Sequence, residues 1–225
     1  MNAAIDDVGA PGVSPTYAGG SDIDFMEQVS YYASVAGFVL VVALWFLFGG
    51  VFLLRKRGEA TTDGEKIPVS YIGLALQGAA YAPVVFIGRD ELFGPFIDGQ
   101  SELNIALQIA AVVIAAFSVW FVMSAVRELG KQWSLEARLV EGHKLITSGV
   151  YQIVRHPIYT AMLGMLIATG ISHSQWRATL GGIVIFLIGT KIRTNSEEKL
   201  LSNAFGAEFT EWKVKVPGLI PFVKI

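Results

Sequence analysis

Two short stretches carry the residue types and spacings that could do chemistry in this chain. In the first, Arg155 and His156 stand directly before Pro157. Proline at the first position of a helix is preorganised for a helix start. His156 is therefore expected at the mouth of a helix, beside free backbone amides and the positive end of a dipole, where a carboxylate or phosphate is favoured. The plainer alternative makes Arg155 an interfacial anchor and His156 a cap. In the second stretch, Arg193 and Glu197 are spaced i,i+4, as are Thr194 and Glu198. That spacing puts an ion pair on one helix face, whose plainer alternative is a solvated surface pair of little energetic value.

The elements that must position these groups are apolar. The 225 residues are 53% hydrophobic and 16% charged, with a mean hydropathy of +0.53, a composition outside the range of soluble domains. Four uncharged stretches, 28–54, 67–88, 103–126 and 157–176, reach the roughly 20 residues needed to cross a bilayer core. A fifth, 178–190, is shorter and separated from the fourth only by the polar turn 172–177. The sequence thus predicts an all-α polytopic membrane protein with about five transmembrane helices, the last two a hairpin, and a C-terminal cytoplasmic helix.

The absence of cysteine removes a disulfide scaffold, a zinc-thiolate site and a cysteine nucleophile. A net charge of -2 gives no global basic field, which argues against a nucleic-acid partner. No metal site is expected, and no spacing joins His143 or His173 to a carboxylate cluster. Lysine and arginine mark the cytoplasmic side. With the N-terminus outside, segments 55–66, 127–156 and 191–225 hold four, five and six basic residues, against Arg89 and Arg177 on the other face. The first 29 residues lack lysine and arginine and carry five acidic residues, so they read as a disordered non-cytoplasmic tail without a signal-peptide n-region. The expected divisions are therefore the tail 1–29, three membrane helices in 30–126, and a C-terminal core 127–225 made of a cytoplasmic loop, the hairpin and a closing segment. From Arg177 to Arg193 a helix rises only about 24 Å, less than the hydrocarbon thickness of roughly 30 Å. Arg193 is thus expected at or inside the interface, a depth at which ionisable groups mark a functional path or a buried pair. A hairpin then brings Arg155, His156, Arg193 and Glu197 to one membrane face.

At these residues the chain resembles a family. GVYQIVRHPIYT, residues 149–160, is similar to the signature of the isoprenylcysteine carboxyl methyltransferases, and EEKLLSNAFGAEFTEWKVKVPGLIPF, residues 197–222, resembles their C-terminal pattern. The likeness covers roughly residues 127–223, while the first three helices resemble the family only in being apolar. It implies a membrane methyltransferase that uses S-adenosylmethionine, with the last helices and the C-terminal segment forming the cofactor pocket. Carried over by position, Tyr151, Val154, Arg155, His156, Pro157 and Tyr159 would line the cofactor site, with helix-end amides near its carboxylate. His143, on the cytoplasmic loop, joins them by location. Arg193, Glu197 and Glu198 would shape the acceptor and methyl-transfer end. Two departures stand out: Val150 and Gln152 replace the family's proline and arginine, and Asn195-Ser196 separates Arg193 from the acidic pair.

The implied reaction moves a methyl group to the carboxylate of a lipidated or membrane-embedded acceptor, with membrane lipids as surroundings. Phospholipid or other small-acceptor N-methylation, a non-catalytic membrane homologue, and a small channel or transporter are the alternatives. Spans one to three contain no charged residue, which weighs against the last.

Overall fold

A computed structural model of the chain describes residues 20–54, 69–90, 93–97, 100–130 and 144–223, with side chains from Phe25 onward. Every regular element among them is helical: α1 (Gly20–Leu53), α2 (Val69–Ala79), α3 (Tyr81–Phe86), α4 (Ser101–Leu129), α5 (Pro157–His173), α6 (Trp176–Phe205) and α7 (Ala207–Lys215), with a 3-10 turn at Gly149–Gln152 ahead of α5. Among the described residues three spans are long and apolar enough to cross a bilayer: Phe25–Leu53, Val69–Phe86 and Ser101–Leu129. The second is built from α2 and α3, which break at Ala80. Pro83 explains the break, since it has no N–H to bond the carbonyl of Ala79 and its ring crowds that carbonyl. The helix α1 reaches back to Gly20, so residues 20–29 of the expected disordered tail are helical; residues 1–19 lie outside the described residues.

Contact pairs fix the helix directions. Ser30 and Ser34 of α1 meet Asn104, and Gly37 meets Gln108, so α1 and α4 run parallel. Ser118 meets Gly164 and Gln108 meets Ile171, so α5 runs against α4. Gly170 meets Thr179 and Tyr159 meets Arg193, so α6 runs against α5. The main apolar core lies between α1, α4 and α5 and includes Val41, Phe121, Val122 and Met165. A smaller one joins Ala80 and Val84 to Leu166 and Phe186.

Polar bonds pin the end away from His156. Asn104 Nδ2 donates to Ser30 Oγ and Ser34 Oγ, both at 2.9 Å, and Gln108 Nε2 donates to the carbonyl of Ile171 at 3.2 Å. Arg89 donates to the carbonyls of Ile171 and Ser174 at the end of α5. In lipid each such interhelical bond contributes about 0.6 kcal/mol.

Glycine brings α2 and α6 into backbone contact. A Cβ placed on Gly73 would lie 2.7 Å from both Arg193 Cγ and the carbonyl oxygen of Gly189, and one on Gly189 would lie 2.8 Å from the Gly73 carbonyl oxygen. Gln77 Nε2 then donates to Thr190 Oγ1 at 2.9 Å across the same seam. Gly73→Ala is expected to destabilise the protein by about 1–3 kcal/mol, the usual range for overpacking. A melting temperature in detergent within 1 °C of wild type would overturn that close-approach account.

Candidate active site

Two carboxylates on α6 organise the site, because adjacent residues on a helix point about 100° apart. Glu197 faces α5, whereas Glu198 faces α7 and the segment that follows it. Pro157 begins α5 and His156 occupies its N-cap, yet the imidazole does not cap the helix. Its ring turns toward α6 instead, with Nε2 at 3.2 Å from Glu198 Oε1 and Nδ1 at 3.5 Å from Glu197 Oε2.

On the first side of His156, Tyr159 donates its hydroxyl proton to Glu197 Oε1. Arg193 Nε donates to the Tyr159 hydroxyl at 2.7 Å, and Nη2 pairs with Glu197 Oε1 at 3.4 Å. The guanidinium also lies over the Tyr159 ring, 5.4 Å from its centroid. Arg193 is 4% exposed, its stem against Gly73 of α2. Arg193 is therefore buried among protein groups. A surface pair of the ordinary weak kind does not describe it.

On the second side, Arg155 contacts Glu198 Oε1 through Nε at 3.0 Å and Nη2 at 2.9 Å. Its Nη1 donates to the carbonyls of Lys213, at 3.0 Å, and Val216. Lys213 Nζ lies 2.7 Å from Glu198 Oε2. The backbone amides of Arg155 and His156 donate to the carbonyls of Pro217 and Gly218 at 2.8 and 3.0 Å. Thr160 Oγ1 adds a bond to the Leu219 carbonyl at 2.6 Å. Residues 216–219 thus form a strap across the start of α5, and they take the amides of Arg155 and His156 that lead into the helix. Gly206 makes this arrangement possible. At φ +53° it sits in the left-handed region, ends α6 and starts α7 in a new direction.

Burial alone would lower the pKa of His156, but hydrogen bonds and charge from Glu197 and Glu198 outweigh it, and the imidazole titrates above its ordinary value. Burial would likewise raise the Glu198 carboxyl. Hydrogen bonds from His156 and Lys213 and the charges of His156 and Arg155 instead hold it well below the carboxylate range. An imidazole with a carboxylate at each nitrogen satisfies both only as the doubly protonated cation.

The structure brings Arg155, His156, Tyr159, Arg193, Glu197 and Glu198 together. It places Tyr151 and Val154 in the main core cluster, and Pro157 buried at the start of α5. His143 lies outside the described residues. Glu198, expected with the acceptor-side groups, stands with Arg155 and Lys213. Sequence reasoning missed Lys213, the strap carbonyls and Gly73. Only the glycine break at 206 hinted that α7 could fold back, and nothing local marked Gly73. Among the described residues one buried group here has no hydrogen-bond partner: Trp212 Nε1 on α7, whose ring packs against the core cluster to which Val150, Tyr151 and Val154 belong. Among the described residues no group of three or more His, Asp or Glu is placed to hold a metal ion.

Comparison with known proteins now bears on this geometry. The family model described as phospholipid methyltransferase matches residues 107–208, from within α4 to the start of α7. Protein-S-isoprenylcysteine O-methyltransferase B of Arabidopsis thaliana is 34% identical over 89 residues, which are 40% of this chain and 45% of the relative. The Mus musculus protein-S-isoprenylcysteine O-methyltransferase is 35% identical over 85 residues, 36% of this chain and 29% of the relative. The Schizosaccharomyces pombe protein of that name is 25% identical over 215 residues, 89% of each chain. The chain thus spans less than half the length of the plant and mouse relatives it matches. The family resemblance drawn from the two motifs is borne out.

Proposed function

We propose that this chain, as a relative of the isoprenylcysteine carboxyl methyltransferases, is an integral membrane enzyme that transfers a methyl group from S-adenosylmethionine to the carboxylate of a lipid-bearing acceptor. The observation that carries the choice of acceptor is the charge balance of the site. Glu197 and Glu198 face three permanent cations, Arg155, Arg193 and Lys213, and a bridging imidazolium. Each carboxylate oxygen is already contacted by a donor. Such a site holds surplus positive charge, which favours an anionic acceptor. These donors stabilise both carboxylates in their ionised form, which makes either a weak base for the ammonium proton that N-methylation must lose.

The donor set fits the proposed cofactor. S-adenosylmethionine supplies a methyl group on a sulfonium centre. Its amino-acid carboxylate would be held on the side of Arg155 and Lys213, with His156, whose ring nitrogens face Glu197 and Glu198, setting those carboxylates behind it. The buried indole N–H of Trp212, without a hydrogen-bond partner among the described residues, is a further donor on this side. A carboxylate acceptor is ionised at neutral pH and requires no base. Arg193 then orients it through a planar two-point fork, and Glu197 holds Arg193 in place. The rate gain rests on position and on charge placed before the reaction begins.

This reading includes the membrane arrangement. We take α5 and the first half of α6 as a fourth and fifth crossing that form a hairpin. The N-terminus is then non-cytoplasmic, and the site, the strap and α7 are cytoplasmic, as the basic residues of the loops require. A site at that interface leaves the acceptor's apolar part among acyl chains while its carboxylate reaches Arg193.

Titration of the detergent-purified chain with S-adenosylmethionine and its demethylated product tests the first part; no binding sinks the enzyme reading. Incubation with labelled cofactor and an N-acetylated S-prenylcysteine tests the second. The expected product is base-labile, as a methyl ester is. Label that survives base, transferred instead to a phospholipid amine, overturns the carboxylate assignment.

A further inference from the structure

We infer that Tyr159 is a positioning residue of the acceptor side, which sets the guanidinium of Arg193, and is not part of the cofactor lining. The inference rests on the carboxylate-methylation reading and deepens it. His156 divides the cluster. Beyond Nε2 lie Glu198, Arg155, Lys213 and the strap; beyond Nδ1 lie Glu197, Tyr159 and Arg193.

Within the second group the phenol stands between the two charged partners. Its oxygen accepts from Arg193 Nε at 2.7 Å and its proton goes to Glu197 Oε1. The direct Arg193 to Glu197 contact is longer, at 3.4 Å, and uses Nη2. The bond to Tyr159 fixes the guanidinium at Nε, and a two-point carboxylate match depends on the plane of that guanidinium. The ring is held in turn by the His156 imidazole, nearly parallel to it at a centroid distance of 5.8 Å. Tyr159 is 8% exposed, so water cannot readily substitute for its hydroxyl. The phenol would thus act on the acceptor through Arg193.

The test is Tyr159→Phe in the full-length, detergent-purified protein, assayed with S-adenosylmethionine and an N-acetylated S-prenylcysteine. The expected result is a rise of about tenfold in KM for the acceptor and a fall in kcat, with the dissociation constant for S-adenosylmethionine within about twofold of wild type. Because Tyr159 acts through Arg193, Tyr159→Phe added to Arg193→Lys is expected to cost little further activity. Full additivity would contradict action through Arg193. Cofactor affinity weakened fivefold or more with an unchanged acceptor KM, or unchanged kinetics throughout, overturns the inference alone. Failure of the wild type to bind cofactor overturns the functional reading and this inference together. Should the phenylalanine variant not survive purification, 3-fluorotyrosine at position 159 keeps ring and hydroxyl while making the phenol a poorer acceptor for Arg193. The same rise in acceptor KM at constant cofactor affinity is then expected, and its absence overturns the inference.

Discussion

Arg193→Lys is expected to lower turnover by at least about 100-fold, equivalent to about 2.7 kcal/mol of transition-state stabilisation, while S-adenosylmethionine affinity stays within about threefold. Lysine retains the positive charge and most of the stem that lies against Gly73. What it loses is the planar fork: the Nε contact to Tyr159 at 2.7 Å and the Nη2 contact to Glu197 at 3.4 Å. A point charge on a flexible chain can attract a carboxylate but cannot fix its plane. The variant thus separates attraction from orientation. Initial rates at saturating cofactor, set beside calorimetric titration, give both numbers. Turnover within threefold of wild type would show that charge alone suffices and would remove Arg193 from its orienting role.

Glu198→Gln is expected to have the other large effect, on stability and cofactor binding together. Glu198 is 13% exposed and receives Arg155, His156 and Lys213. Replacing it leaves three cationic groups facing a neutral amide. Breaking a buried pair from one side costs about 3–5 kcal/mol. The strap should loosen as well, since Arg155 ties Glu198 to the carbonyls of Lys213 and Val216. S-adenosylmethionine affinity is expected to fall by at least about tenfold, a change of roughly 1.4 kcal/mol.

The pH dependence of the same variant has a definite sign. The Glu198 carboxyl is depressed in the folded protein, so its contribution is present above the unfolded value of about 4.3 and fades as pH falls through the lower folded value. His156 is raised, so its contribution is complete below about 6.5 and fades as pH rises through the folded value. Wild-type melting temperatures should therefore decline at both ends of the pH range. The glutamine variant should show a flatter acid limb and an alkaline decline moved to lower pH. Parallel curves for the two proteins across pH 3 to 9 would contradict Glu198 as the group that joins them.

Much of this site was legible because its components are local. Arg155, His156 and Pro157 are consecutive, and one helical turn joins Arg193 to Glu197. A helix start and an i,i+4 ion pair follow from spacing alone. The scarcity of charge made them conspicuous, since a charged group in an apolar chain must find a partner or water. What stayed hidden depends on long separations. Lys213 reaches Glu198 only because Gly206 redirects the chain after α6, and a left-handed glycine permits a turn without specifying its destination. Gly73 packs on Arg193 across a separation of 120 residues, and no pattern within α2 distinguishes it from Gly78, which meets nothing within 4 Å.

By itself the sequence determined an all-helical chain with spans of membrane length, the start of α5 at Pro157, and the residues able to bear charge at one end of α5 and α6. Those outcomes follow from hydrophobic run length, proline geometry and helical periodicity, all properties of neighbouring residues. The tertiary structure decided how the charges divide between partners. Glu197 and Glu198 are adjacent in sequence, yet their side chains diverge to different helices, and the bridging imidazole joins what the helix surface separates. It also decided that the amides before α5 serve the strap, because a carbonyl from residues 217 and 218 satisfies them within the protein. Pairing of this kind depends on which surfaces meet at bonding distance, and that is set only when the helices pack.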